Sequence, residues 1–221
     1  MELPSEAAVM TLPSATLFPQ ALLPLYIFEP RYRKMLADAL LADRMITVAM
    51  QKPGRKRETP CTVAGLGLIR VSVGHEDGTS HLVLQGITRV ELMAPVQSNP
   101  YPVHSIRVLQ APPSDSLRID ALVAKVHELV TRRLQLGPCL FPIVQKGPQS
   151  KKTMREVLKY LESLPDADQL ADLVSCALLP EARHARQRQT ILETVDMEAR
   201  LKHLIHFLMA EIRRQGKDTP S

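Results

Sequence analysis

Cys61-Thr62-Val63-Ala64-Gly65-Leu66-Gly67-Leu68-Ile69-Arg70-Val71-Ser72-Val73 is followed by Gly74-His75-Glu76-Asp77-Gly78 and by two apolar runs, 79–85 and 87–94, parted by Gly86. Val63, Leu66, Leu68, Val71 and Val73 approximate the two-residue alternation of a half-buried strand, with slips at Gly65 and Gly67. Glycines inside a strand mark a bulge, a bend or a close backbone approach, as a closing barrel requires. The Gly74–Gly78 stretch is a turn signal. In the run that follows, Leu82 and Leu84 are expected to face a core, and His81, Val83 and Gln85 the other side.

Working outward, residues 7–12, 45–50 and 101–110 give further short strands. Several short strands at this spacing predict a small, mostly antiparallel barrel or curled sheet. One helix interrupts them. It starts near Pro30, a residue suited to the first helical position, and Tyr32, Met35, Leu36, Ala39 and Leu40 form its apolar stripe. Past a linker at Ala111–Ser116 the rhythm becomes helical. Ile119, Leu122, Val123, Val126, Leu129, Val130 and Leu134 form one stripe, expected to stop at Gly137-Pro138. Thr153 and Glu156 read as a capping box, Asp166 or Asp168 as the cap of the next helix, and Asp196 as the cap of the last. That last helix should bury Leu201, Leu204, Ile205, Leu208 and Ile212 and end at Gly216. A polar helix is expected from about 181 to 193. The fold class predicted is α+β: an N-terminal antiparallel barrel with one inserted helix over residues 1–113, then a helical bundle over 114–221.

Composition bounds the chemistry. The 221 residues carry 28 Lys and Arg against 23 Asp and Glu, a formal charge of +5 that permits an acidic partner without demanding one. Aromatics are 4% with no Trp, so the core must be aliphatic. Cys61, Cys139 and Cys176 are odd in number and far apart, which argues against a disulfide framework or a cysteine zinc site and fits a reducing, cytoplasmic setting. The N-terminus is acidic where a signal peptide is basic, and no apolar stretch has the length of a membrane span.

Phe18-Pro19-Gln20-Ala21-Leu22-Leu23-Pro24-Leu25-Tyr26-Ile27-Phe28-Glu29-Pro30-Arg31-Tyr32-Arg33 resembles the signature of the Lon protease N-terminal domain family. Leu84–Val90 and residues 168–212 are similar to further parts of it. The resemblance implies a PUA-like barrel followed by a helical bundle, and recognition of protein substrates. It implies a free-standing member, without the ATPase and protease parts. One departure is Gln20, where the family usually has Gly, which implies a looser turn there.

No reaction machinery is legible in the residues themselves. A phosphate-cradling loop needs G-x-x-x-x-G-K-[ST]. The nearest approach, Gly147-Pro148-Gln149-Ser150-Lys151-Lys152-Thr153, lacks the second glycine. His203 and His206 share a helix face but have no obvious third ligand, and we read them as surface histidines. Cys61 reads as a small core residue. No catalytic residue, cofactor or metal site is therefore expected. Lys52-Pro53-Gly54-Arg55-Lys56-Arg57, with Arg183, Arg186 and Arg188, carries the alternative reading of an RNA-binding protein, against which stands the lack of an aromatic platform. Glu29, Arg31, Tyr32 and Arg33 are the candidate partner-binding residues. Their competing structural roles are to complement the helix dipole and tie the helix to the barrel. The expected partner is an unfolded or extended polypeptide, or another protein, docking on aliphatic surface or by strand addition at a barrel edge.

Overall fold

A computed structural model describes residues 2–55, 58–112, 116–136 and 154–218. The chain divides into two compact units, Met1–Gln110 and Ala111–Ser221.

The first unit holds six strands and one helix: β1 (Glu6–Leu12), β2 (Leu22–Ile27), α1 (Pro30–Leu41), β3 (Met45–Met50), β4 (Val63–Gly74), β5 (Ser80–Gln97) and β6 (Val103–Val108). The sheet order is β2-β5-β4-β3-β1-β6, and an additional β5–β6 pairing closes a five-strand ring with β2 attached outside it. All pairs are antiparallel except β1 with β3. The runs 79–85 and 87–94 are one strand, not two. Gly86 does not break β5, because β4 pairs with it on both sides of that point, Gly67 lying opposite Gly86 and a one-residue bulge falling at Ile87. The length of β5 lets its first half carry β2 and its second half carry β6.

β1 and β3 lack alternation because both of their faces are buried. Met10, Ile46 and Val48 join a cluster with Tyr32, Met35 and Leu36 of α1. Val9, Met45 and Ala49 join another with Ala64, Leu66 and Val90. Strands covered on both sides read as continuous apolar runs. In β5 the expected facing holds, with Leu82 and Leu84 buried and His81 exposed. In β4 it holds only in part. Ile69 lies opposite Leu84, yet Val71 lies opposite Val83, leaving Arg70 as an extra residue. A one-residue bulge reverses the parity of a strand, so Val71 and Val73 face solvent, not the core.

The glycines have a second cause. A Cβ on Gly65 would lie 1.9 Å from the Leu17 carbonyl oxygen, and one on Gly86 would lie 1.9 Å from that of Phe18. The segment between β1 and β2 crosses the sheet in contact with backbone, and Leu17 and Phe18 are both fully buried. The turn at Gln20 is not loosened. The Ala21 N–H donates to the Phe18 carbonyl (3.1 Å) and the Gln20 N–H to that of Gly86 (2.9 Å). Gln20 itself adopts φ +63°. Proline second and a left-handed residue third is the pattern of a type II turn, normally filled by glycine.

The second unit contains α2 (Ser116–Gln135), α3 (Met154–Glu162), α4 (Ala167–Leu178), α5 (Glu181–Glu193) and α6 (Met197–Asp218). Ile119, Val126, Leu129 and Val130 of α2 are buried, as are Leu201, Leu204, Leu208 and Ile212 of α6. Asp166 caps α4 by accepting from the Gln169 N–H (2.8 Å). Asp196 accepts from the Ala199 N–H (2.8 Å) at the start of α6. Asp168 instead pairs with the buried Arg200, which also donates to the carbonyls of Thr194 and Val195 (2.6 and 2.9 Å). α6 runs past Gly216. The expected stop at Gly137, the capping residue Thr153 and the glycine-poor loop at 147–153 lie outside the described residues, as does Cys139.

Candidate functional site

The four residues picked from sequence sit at the start of α1 with different surroundings. Glu29 is the N-cap and makes no side-chain cap bond. Its carboxylate accepts from Arg31 instead (2.9 Å from Nε and 2.7 Å from Nη2). Arg31 also grips Glu58 through both terminal nitrogens. The Glu58 hydrogen bonds, against the cost of burial and with help from Glu29, raise the Arg31 guanidinium above its ordinary value. Arg31 lies over the Tyr32 ring, 4.5 Å from its centroid. Tyr32 is only 4% exposed. Its hydroxyl accepts from the Thr11 N–H (3.2 Å) and donates to the Thr11 carbonyl (3.3 Å), tying α1 to β1. Burial pushes the Tyr32 phenol up. Arg33 is exposed, and its guanidinium occupies the space beside Gly78 where a Cβ would otherwise sit.

A second group of residues surfaces only in the structure. β2 is an edge strand with β5 as its one sheet neighbour. Proline is tolerated at such an edge, and Pro24 lies in it. Across β2, β5 and β4 the register sets Pro24 beside Val83 and Val71, and Tyr26 beside His81 and Val73. Tyr26, Phe28, Val71 and Val73 are 49%, 59%, 51% and 52% exposed, and Leu22 lies farther along the same β2 face, 45% exposed. The rings of Tyr26 and Phe28 stack at 5.9 Å, and those of Tyr26 and His81 approach to 4.8 Å. A contiguous apolar face of this kind is the usual mark of an interaction surface. The sequence concealed it for two reasons. The segment 22–27 contains a proline and was not read as a strand, and the bulge at Arg70 turned Val71 and Val73 outward against the alternation.

At one end of this face lies an open cleft of about 430 Å³ lined by Tyr26, His75, Asp77, Thr79 and His81. His75 Nε2 and His81 Nδ1 are 2.7 Å apart. Asp77 Oδ1 accepts from the Thr79 N–H (2.9 Å) and hydroxyl (2.7 Å). These bonds, with the nearby charges of His75 and Arg33, hold the Asp77 carboxyl below its usual range.

The other sequence candidates are placed apart. His203 and His206 are exposed and each lies against Phe207. Among the described residues no group of three or more His, Cys, Asp or Glu is placed to hold a metal ion. Arg188, one of the basic residues of the RNA reading, is buried and paired with Glu181 (3.1 Å), so it does not present its charge to solvent. Arg183 and Arg186 are exposed. Lys56 and Arg57 lie outside the described residues. Cys61 is buried, as expected. No helix among the described residues is long and apolar enough to cross a membrane.

Known proteins bear on the whole of this chain. Residues 6–210 match the family described as the ATP-dependent protease La (LON) substrate-binding domain. The Lon protease of Dictyoglomus thermophilum is 22% identical over 214 residues, covering 96% of this chain and 25% of the relative. That of Geobacter metallireducens is 26% identical over 217 residues, covering 96% and 24%. The chain thus spans about a quarter of the length of the curated relatives it matches. Among solved structures, the N-terminal domain of a Mycobacterium avium complex Lon protease superposes with a TM-score of 0.67 at 20% identity, covering 92% of this chain and 98% of that one. A Lon N-terminal domain protein from Xanthomonas campestris gives 0.53 at 18% identity, covering 92% and 99%. The family match covers most of the chain, and the solved neighbours share the fold described above: this chain belongs to the Lon substrate-binding domain family.

Proposed function

We propose that this chain is a non-catalytic module that binds extended, apolar polypeptide segments, as the substrate-binding domain of a Lon-type protease would. The observation that carries the reading is the solvent-facing apolar patch of Leu22, Pro24, Tyr26, Phe28, Val71 and Val73 beside the open edge of β2. A peptide laid along that edge can add main-chain hydrogen bonds while its side chains cover the patch. Tyr26 and Phe28 supply the largest apolar areas, the kind of anchor that dominates binding energy. Glu29, Arg31 and Arg33 form a polar rim next to Phe28, and Tyr32 holds the helix that carries them. Membership in a substrate-binding domain family supports the reading.

Fluorescence polarisation with labelled, unstructured apolar peptides tests it. Binding should be saturable, and Tyr26→Asp with Phe28→Asp should weaken it by about tenfold or more, since each removes an aromatic anchor. Unchanged affinity in a folded double variant would move the site elsewhere.

A further inference from the structure

We infer that the Tyr26–His81–Asp77 cleft takes a basic side chain, so that this module prefers apolar segments flanked by Lys or Arg over those flanked by Asp or Glu. The inference rests on the apolar-segment reading above and adds a charge selection to it. Tyr26 belongs to both places: it is part of the exposed β2 face and it lines the cleft. A residue following an apolar segment docked on that face therefore arrives at the cleft.

Two features there suit a cation. The Tyr26 and His81 rings, tilted against each other with centroids 4.8 Å apart, offer an aromatic wall along which the methylene stem of Lys or Arg can lie and whose face attracts its charge. Asp77 lies in the same lining with its carboxyl below the usual range, so it carries negative charge throughout the neutral region. Its Oδ1 is committed to Thr79, which fixes the carboxylate in the turn. Among the described residues Oδ2 takes no hydrogen bond. A carboxylate already held by its own turn needs no reordering to meet a guanidinium or ammonium.

Opposing charges lie close by. Arg33 of α1 lies against Gly78 and shares the field of Asp77, and His75 lies beside it. Arg33 is a tethered competitor for that carboxylate. It sets the size of the effect: an exposed ion pair and an exposed cation–π contact together are worth about a fivefold change in affinity, not hundreds.

The test compares two labelled peptides with the same apolar segment, one flanked by Lys and one by Glu, on the unaltered protein by fluorescence polarisation at low salt. The Lys peptide should bind about fivefold more tightly, and the difference should shrink as salt is raised. Asp77→Asn keeps an acceptor for Thr79 and should weaken the Lys peptide alone, shrinking the difference to about twofold, the part the aromatic wall retains. Arg33→Ala should enlarge it. Equal binding of the two peptides, or a preference undiminished by Asp77→Asn, overturns the charge selection and leaves the apolar reading standing. Failure of both peptides to bind overturns both.

Discussion

Gln20 holds a left-handed backbone conformation, φ +63°, at a position where the turn is closed by the Ala21 and Gln20 N–H groups. A side chain there costs about 1–2 kcal/mol, which glycine would not incur. Against that gain stand the greater freedom of glycine in the unfolded chain and loss of the exposed contact between the Gln85 and Gln20 side chains (3.3 Å). The balance predicts that Gln20→Gly stabilises the protein by about 0.5–1 kcal/mol, read as a rise in the urea midpoint with an unchanged slope. A lower midpoint would show that the turn is not strained. The neighbouring glycines show how far sequence reading reaches at this scale. Gly65, Gly67 and Gly86 stand out in the sequence as interruptions of strands, and one bulge does lie beside Gly86, at Ile87, whereas the other, at Arg70, lies three residues past Gly67. The contact with Leu17 and Phe18 is invisible without coordinates, because a segment distant in the chain supplies the crowding atoms.

α1 was legible from Pro30 and its apolar stripe, and Tyr32, Met35, Leu36 and Ala39 are all buried. Why its first turn is tied to β1 was not, since the tie runs through a phenol hydroxyl to the backbone of Thr11. Replacing Tyr32 by Phe keeps the ring in the core but leaves the buried Thr11 backbone without its two hydroxyl bonds. The expected cost is about 1–2 kcal/mol, measured by denaturant unfolding. A cost near zero would mean that water replaces the hydroxyl. β2 shows the opposite case, an element the sequence disguised. Pro24 removes a donor and interrupts the apolar run, so the segment carries no plain strand signal. A strand with one neighbour can spare that donor, and the edge this creates is where the apolar face begins. The candidate site was therefore half readable: the α1 start, with its charged rim, stood out by residue type, whereas Tyr26, Phe28, Val71 and Val73 required the register.

Each of the two units carries its own buried core, and one of them also carries a buried ionised network. In the helical unit the Glu211 side chain is almost fully buried. It accepts from Arg214 (2.9 and 2.6 Å), from Gln215 (2.7 Å) and from His184 (3.1 Å) across to α5. His184 is the residue where α5 departs from helical geometry. Burial pushes the Glu211 carboxyl up, but the bonds from Arg214 and Gln215 and the charges of Arg214 and His184 outweigh it, holding the group at about 2 against an ordinary 4.5. A carboxyl depressed in the folded state stabilises that state above its ordinary value, and the stabilisation, up to about 3 kcal/mol, is lost as pH falls from about 5 towards 2. The barrel unit's depressed carboxyls, the half-buried Asp38 and the exposed Asp77, sit at hydrogen-bonded surface positions, where screening makes such gains small. Acid should therefore loosen the helical unit before the barrel. Amide exchange followed from pH 6 to pH 2.5 is expected to show protection falling first in α5 and α6 while β3 and β4 stay closed. Glu211→Gln should lower the stability of the helical unit at neutral pH and flatten its dependence below pH 5. Loss of protection in both units together, or an unchanged acid slope in Glu211→Gln, would place the acid-sensitive charge elsewhere in the chain.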